Sequence, residues 1–468
     1  MLSISRSVAR PANQTPHGRH PDARVQDAAI AESCAPAREA RLPRSSYVSV
    51  GIEGTLEPVS GRDTLTASGH FSSGQWRRDL RLVGDLGLRE VRYPIPWHHI
   101  EREPDRFVWG PLDRIVNAAC WEHGLTLVAD PLHHTSYPRW LHAGFLDPRF
   151  TAAYVRFVTA FARRYPEVRV FTPFNEPTCT LDFCGLRGFW HPYAADERAY
   201  VTMLRNTARA TAEVIRQLRH MHRDVYILHV DTFQHNAAID AESRQRAWFL
   251  NERRFLFEEL VTGKVSSGHP LWDYLVCHGF GTSDLDWHLE HPQRLDERGG
   301  NYYPLNEEQL LRGATHRAPS ADPLGFAGVV EHYARRLAYP LSLTETNIQG
   351  HVRDRISWLK YMLEQAERLQ AEGITLRRFA WYPLFDCAGW GSLLQAPQWS
   401  RDPQGIYSCD ADWQRMPTEF SRIYRAVAAG MPSSDIPAYA LTARHEHTLR
   451  PLTRNLGWNW VPIARDGA

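Results

Sequence analysis

Eight short apolar runs, each separated from the next by a longer stretch, constrain this chain more than any other feature. They fall at 46–52, 88–95, 125–131, 168–174, 225–231, 273–280, 340–345 and 377–385. Between them lie helical patterns, such as Asp79–Leu86, Leu112–Trp121, Ala152–Arg164, Asp196–His220 and Arg353–Ala371. Strands that are apolar along their whole length, rather than alternately, are buried on both faces. Strands alternating with helices make a parallel sheet covered by those helices. Eight such units predict a closed (β/α)8 barrel, the TIM barrel, as a single catalytic domain. An open doubly wound sheet is the alternative, but it brings a glycine-rich phosphate loop after an early strand, and this sequence has none.

The flanks read differently. Residues 1–45 are rich in Arg, Ala and Pro without apolar periodicity, which predicts a disordered tail before a barrel over 46–430. Residues 431–468 form a C-terminal extension, and Trp458 and Trp460 predict that it packs on the barrel. A formal net charge of +1 gives no reason to expect a nucleic acid or a membrane surface as partner. No stretch approaches the roughly 18 apolar residues of a membrane span, and the N-terminus lacks the apolar core of a signal peptide. The seven cysteines are scattered, with no Cys/His metal spacing, so the expectation is reduced thiols in a cytoplasmic protein. No cofactor is expected, and the sequence sets no oligomeric state.

In a barrel of this type chemistry sits where strands end at the C-terminal face. The fourth run ends in Asn175-Glu176-Pro177, and the seventh ends in Thr344-Glu345-Thr346-Asn347. A single Glu at a strand end is usually a solvated charge. Two of them, on opposite strands and one face, are what glycoside cleavage needs. One of the two would protonate the departing oxygen and the other would attack the anomeric carbon. A retaining enzyme holds two such carboxyls about 5–5.5 Å apart. The 16 Trp, 18 Tyr and 19 Phe fit a carbohydrate partner, whose C–H faces stack on aromatic rings.

At these residues the chain resembles glycoside hydrolase family 1, the β-glucosidase and β-galactosidase family, from about Ser46 to Val427. Arg92-Tyr-Pro-Ile-Pro-Trp97-His-His-Ile100 is similar to the family's strand-two motif, and His134-Thr-Ser-Tyr-Pro138-Arg-Trp140-Leu to its strand-three motif. Phe174-Asn175-Glu176-Pro177 matches the acid/base motif, and Leu343-Thr344-Glu345-Thr346-Asn347 resembles the nucleophile motif. Gly405-Ile-Tyr407 and Arg415-Met-Pro417 echo the C-terminal segment. The resemblance implies that Asn175 bonds the sugar 2-hydroxyl, that Arg92 keeps Glu345 ionised, and that His134 binds a sugar hydroxyl. His133 is adjacent and is the alternative to His134. Trp140 serves either packing or sugar contact.

The departures fall in the sugar pocket. The family's strand-one Gln falls on Gly51, and the Glu of its late motif falls on Gly389, within Tyr382-Pro-Leu-Phe-Asp386-Cys387-Ala-Gly389-Trp390. The expectation is a rebuilt glycone pocket, with the space left open or the ring held by groups such as Tyr382, Trp390, Arg187 or His278; Glu53 restoring the contacts is the alternative. The family's strand-six motif aligns with His278-Gly279-Phe280, or else with the literal Asn301-Tyr302-Tyr303. His98-His99 and His133-His134 lack a third ligand at helical or loop spacing, so no metal is expected. The loop Cys184–Pro192 is a candidate for substrate contact. Transfer of the glycosyl unit to an acceptor other than water, or a carbohydrate-binding barrel without catalysis, are the competing readings.

Overall fold

Seven of the eight apolar runs become barrel strands, and one does not. The computed structural model describes residues 47–441 apart from 72–73 and 396–398. The 1–45 tail, and Trp458 and Trp460 of the extension, lie outside the described residues. The barrel strands are β1 (Val48–Gly51), β2 (Glu90–Pro94), β3 (Thr126–Asp130), β4 (Val170–Phe171), β5 (Tyr226–Thr232), β6 (Glu297–Asn301), β7 (Leu341–Glu345) and β8 (Leu376–Trp381). Each pairs in parallel with the next, and β8 closes on β1 through Val48↔Phe379 and Val50↔Trp381. Closure leaves no unpaired sheet edge.

Helices α1 (Trp76–Asp85), α2 (Gly110–Asn117), α3 (Phe150–Arg164), α4 (Glu197–Met221), α5 (Arg244–Val261), α6 (Gly325–Arg336) and α7 (Val352–Ala371) connect successive strands, and α8 (Glu419–Ala428) follows β8. In α1 the buried residues Trp76, Leu80 and Val83 recur at helical spacing, while Arg77, Arg78 and Arg81 stay exposed. The Asp196 side chain caps α4 by accepting from Ala199 N at 2.8 Å. The described start of the extension packs on α7: Ser357 Oγ donates to Tyr439 O, and Lys360 Nζ to Ser433 O, each at 2.8 Å. No helix among the described residues is long and apolar enough to cross a membrane.

The sixth run is the exception. Trp272–Cys277 is a short helix, and the strand is Glu297-Arg-Gly-Gly-Asn301. Its composition hides it, since two glycines and two charges are poor strand formers. The fold nevertheless requires them. A Cβ at Gly300 would run into the ring of Phe233, and one at Gly299 into Thr344. The charges are buried but paired: Arg298 donates to Glu258 at 3.0 Å and Glu297 accepts from Tyr226 Oη at 2.7 Å.

Beyond the ends of β5 and β6 an outer sheet forms the rim. His235–Ala238 pairs in parallel with Glu307–Leu311, which pairs antiparallel with His316–Pro319. Leu310 packs there against Ala247 and Leu250 of α5.

Candidate active site

Glu345, the last residue of β7, and Glu176, in the turn after β4, line one cleft of about 610 Å³. Leu343 pairs with Gly300 but Glu345 pairs with Asn301, so Thr344 is an extra residue in β7. Such a bulge re-aims the side chains that follow it. The Thr344 hydroxyl donates to Asn301 Oδ1 at 2.7 Å, and Asn301 Nδ2 donates to Glu176 Oε1 at 2.9 Å. Glu176 adopts φ 48°, a left-handed conformation that costs a non-glycine residue about 1–3 kcal/mol. Two contacts hold it there: Glu176 N donates to Val230 O at 3.0 Å, and Thr178 Oγ1 donates to Asp231 at 2.6 Å.

The two carboxyls meet opposite surroundings. Burial, then the charge of Glu345, pushes the Glu176 carboxyl up to about 8, against the pull of the Asn301 hydrogen bond. Glu345 instead accepts a contact from Arg92 Nη2 on one oxygen and the Tyr303 hydroxyl, at 2.6 Å, on the other. Burial alone would lower the Arg92 pKa, but Glu345 and Asp130 hold it above its ordinary value.

Arg92 also orders the layer beneath the cleft. Its Nη1 donates to Asn175 Oδ1 at 2.8 Å, which turns Asn175 Nδ2 toward His134 Nε2 at 3.3 Å. Nε2 therefore accepts, and Nδ1 carries the proton that it shares with Thr180 Oγ1 at 2.7 Å. His134 is neutral: burial and the neighbouring His133 cation hold its pKa well below the usual value. His133 is the opposite case. Its Nδ1 lies 2.7 Å from Asp130 and its Nε2 3.3 Å from Glu53, so both nitrogens donate to carboxylates. Burial opposes its charge, but Glu53 and Asp130 raise its pKa to about 10. The Tyr382 hydroxyl completes this network, 2.9 Å from Glu53 Oε2 and 3.0 Å from His133 Nε2.

Of the residues singled out in the sequence, Glu176, Glu345, His134, Tyr382 and Trp390 line the cleft. Arg92 and Asn175 lie beneath it, the first holding Glu345 and the second tying Arg92 to His134. His278 is corrected. It follows the helix Trp272–Cys277, its Nδ1 bonds Tyr274 O at 2.7 Å, and it does not line the cleft. Tyr303, the alternative for that position, takes the place beside Glu345. The space expected at Gly51 is filled, because a Cβ there would run into the Tyr382 ring. Trp140 also stands away from the cleft, donating to Glu101 O at 2.9 Å. Arg187 and Trp190 of the loop after Glu176 do line it, and Trp190 meets His134 and Trp390 edge-on, centroids 5.1 and 6.0 Å apart.

His98 and His99 gain a third neighbour that spacing along the chain did not show, since Asp63 brings one oxygen near both. Asp63 is already engaged, capping a short helix through Thr66 N at 2.8 Å and pairing with His99 Nε2 at 2.9 Å. The trio lies outside the cleft lining. Sequence reasoning missed Asn301, Asp130, Arg253 and Arg317. Asn301 was legible only as part of the literal Asn-Tyr-Tyr, and the two arginines sit on elements with no motif.

Comparison with known proteins agrees with this fold. Residues 66–264 match the sequence profile of Glycosyl hydrolase family 1. The fold matches that of a family 1 β-glucosidase from Thermotoga maritima with a TM-score of 0.68 at 18% identity, covering 83% of this chain and 98% of that one. The Thermotoga maritima β-glucosidase in complex with deoxynojirimycin gives a TM-score of 0.69 at 17% identity, with the same coverage. Its complex with a methoxycarbonyl-substituted glucoimidazole gives 0.69 at 18%.

Proposed function

Starting from a chain that is glycosyl hydrolase family 1-like in sequence and fold, we propose that it is a retaining glycoside hydrolase that cleaves β-O-glycosidic bonds. One observation carries the reading: two carboxyls share a cleft, one pushed toward its protonated form and the other held by an arginine and a tyrosine hydroxyl. Pairs of titratable groups whose surroundings separate them in this way mark acid and nucleophile.

In the first step Glu345 attacks the anomeric carbon while Glu176 passes its proton to the departing oxygen, giving a covalent glycosyl-enzyme and a free alcohol. Arg92 and Tyr303 hold the Glu345 carboxylate until attack, and the new ester bond then neutralises it. In the second step Glu176, now a carboxylate, takes a proton from water as the water oxygen attacks the same carbon, and Glu345 leaves. Both inversions together return the β configuration.

The glycone pocket lies between Glu53, His134, Tyr382 and Trp390. Tyr382 occupies the space at Gly51, and its hydroxyl is engaged with Glu53 and His133. Trp390 Nε1 is a buried donor without a partner among the described residues, available to a sugar oxygen. The pocket therefore selects a ring by a different set of groups from a Gln and Glu pair, and a plain glucoside is a poor substrate. A panel of aryl β-glucoside, galactoside, fucoside, xyloside and uronide tests both points, with proton NMR of the first-formed anomer. The reading expects the β anomer first and a glucoside kcat/KM below about 10⁴ M⁻¹s⁻¹. An α anomer first overturns retention, and a glucoside value above that overturns the rebuilt pocket. The cytoplasm is the proposed compartment, in keeping with six described cysteines that carry no disulfide.

A further inference from the structure

The cleft continues past Glu176, away from Glu53 and Tyr382. Its wall there comes from the loop after β4, from α5 and from the outer sheet. Because Glu176 hands its proton to the departing oxygen, this is the side toward which the leaving group points. Three arginines line it: Arg187 in the loop, Arg253 on α5 and Arg317 on the outer sheet.

Their charges are only partly answered. Asp182 takes Arg187 Nε at 2.6 Å on one oxygen and Arg253 Nη2 at 2.7 Å on the other. Arg317 pairs with Glu308 and also reaches Asn236 at 3.4 Å. Two carboxylates thus face three guanidiniums. Arg253 is 5% exposed, yet its Nη1 has no hydrogen-bond partner among the described residues. A buried guanidinium N–H left unpaired is costly, and a ligand that supplies an acceptor removes that cost. The arginines also act on one another: burial, with Arg187 and Arg253 nearby, lowers the Arg317 pKa despite Glu308. A surplus cation beside a planar donor fork suits an oxyanion.

We infer that the leaving-group half of the cleft recognises an aglycone bearing an oxyanion, a carboxylate, phosphate or sulfate, through Arg253 with Arg187 and Arg317. This rests on the glycosidase reading, because that reading says which half receives the aglycone. The natural substrate class is then a β-glycoside of an acidic alcohol, phenol or sugar acid.

The test uses uncleavable thioglycosides, so that binding is read apart from turnover. The 4-carboxyphenyl, 4-phosphonophenyl and 4-sulfophenyl 1-thio-β-glycosides are compared by calorimetry with the neutral 4-carbamoylphenyl compound. They carry the sugar that the panel turns over fastest, or D-glucose if it turns over none. At least one anionic compound should bind about ten-fold or more tighter, and the margin should shrink as salt is raised. Which anion leads identifies the source. Arg317→Gln, on the rim, should erase most of the margin while leaving affinity for the neutral compound unchanged. Arg253→Gln should do the same, and its melting curve checks that it has folded. Equal affinity for the charged and neutral compounds overturns the inference, as does a margin untouched in both folded variants. An intact margin without turnover of any O-glycoside overturns only the hydrolase reading.

Discussion

The two halves of the cleft are built on opposite electrostatic plans. On the side of β8, β1 and β3, the polar groups are deeply buried and their charges answer one another: Glu53 and Asp130 meet the His133 cation and Tyr382 joins them, with Asp130 Oδ1 left unpaired among the described residues. On the side of β4 to β6, arginines outnumber carboxylates and one guanidinium nitrogen goes unpaired. A buried network of balanced charge holds one geometry, which suits discrimination among sugars that differ by a single hydroxyl. An open set with surplus charge suits a partner that brings charge of its own. Glu176 and Glu345 stand on the border, where burial and the charge of Glu345 push Glu176 toward its protonated form.

The largest expected effect is at that border. Glu345→Gly should reduce turnover about 10⁴-fold or more, and added azide should restore part of it as an α-glycosyl azide. Full activity in this variant removes Glu345 from the nucleophile role. Glu176→Gln should cost about 10²–10⁴-fold with a poor leaving group, and far less with an activated aryl group that needs no proton. Equal losses with both leaving groups contradict its role as acid. The protonated form of Glu176 is the competent one, so wild-type activity should fall as pH rises through about 8, and that limb should vanish in Glu176→Gln.

Smaller effects sharpen the contrast between the halves. Tyr303→Phe removes a hydrogen bond to a charged carboxylate, worth about 1.5–3 kcal/mol, so kcat should drop roughly ten- to a hundred-fold. His278→Ala should leave kcat/KM unchanged, and a comparable loss there would reinstate it as a site residue. The buried side should show itself in stability. His133 has a raised pKa in the fold, so the stability that it lends is fully present below about 6.5 and is lost as pH rises toward about 10. Thermal melts should decline across that window, and less steeply in His133→Gln. Parallel slopes would mean that His133 is not the cation that holds Glu53 and Asp130.

Glu176 and Glu345 could be read in the sequence because each sits at the end of an apolar strand beside a local motif, whereas on the buried side Tyr382 was named, Glu53 and His133 entered only as alternatives, and Asp130 was missed. Asn175-Glu176-Pro177 and Thr344-Glu345 are contiguous signals. Strand six escaped because periodicity rewards apolar runs, whereas Gly299 and Gly300 are selected by the closeness of Thr344 and Phe233, a packing fact with no signature along the chain. Gly51 was legible as a loss, but that Tyr382 fills the space required the fold, since the two residues lie 331 positions apart. The open half was the least legible. Arg253 faces inward from the middle of a helix, and Arg317 sits on an outer strand, so only the fold brings either to Asp182 or Glu308.

The claim on which the rest depends is that Glu345 forms the covalent bond. Incubation with a 2,4-dinitrophenyl 2-deoxy-2-fluoro-β-glycoside of the preferred sugar, followed by proteolysis and mass spectrometry, reads it directly. A single fluoroglycosyl adduct on Glu345 is expected, formed as dinitrophenol is released in equal amount. An adduct on Glu53 or Glu176, or release of dinitrophenol with no adduct on the protein, would contradict it.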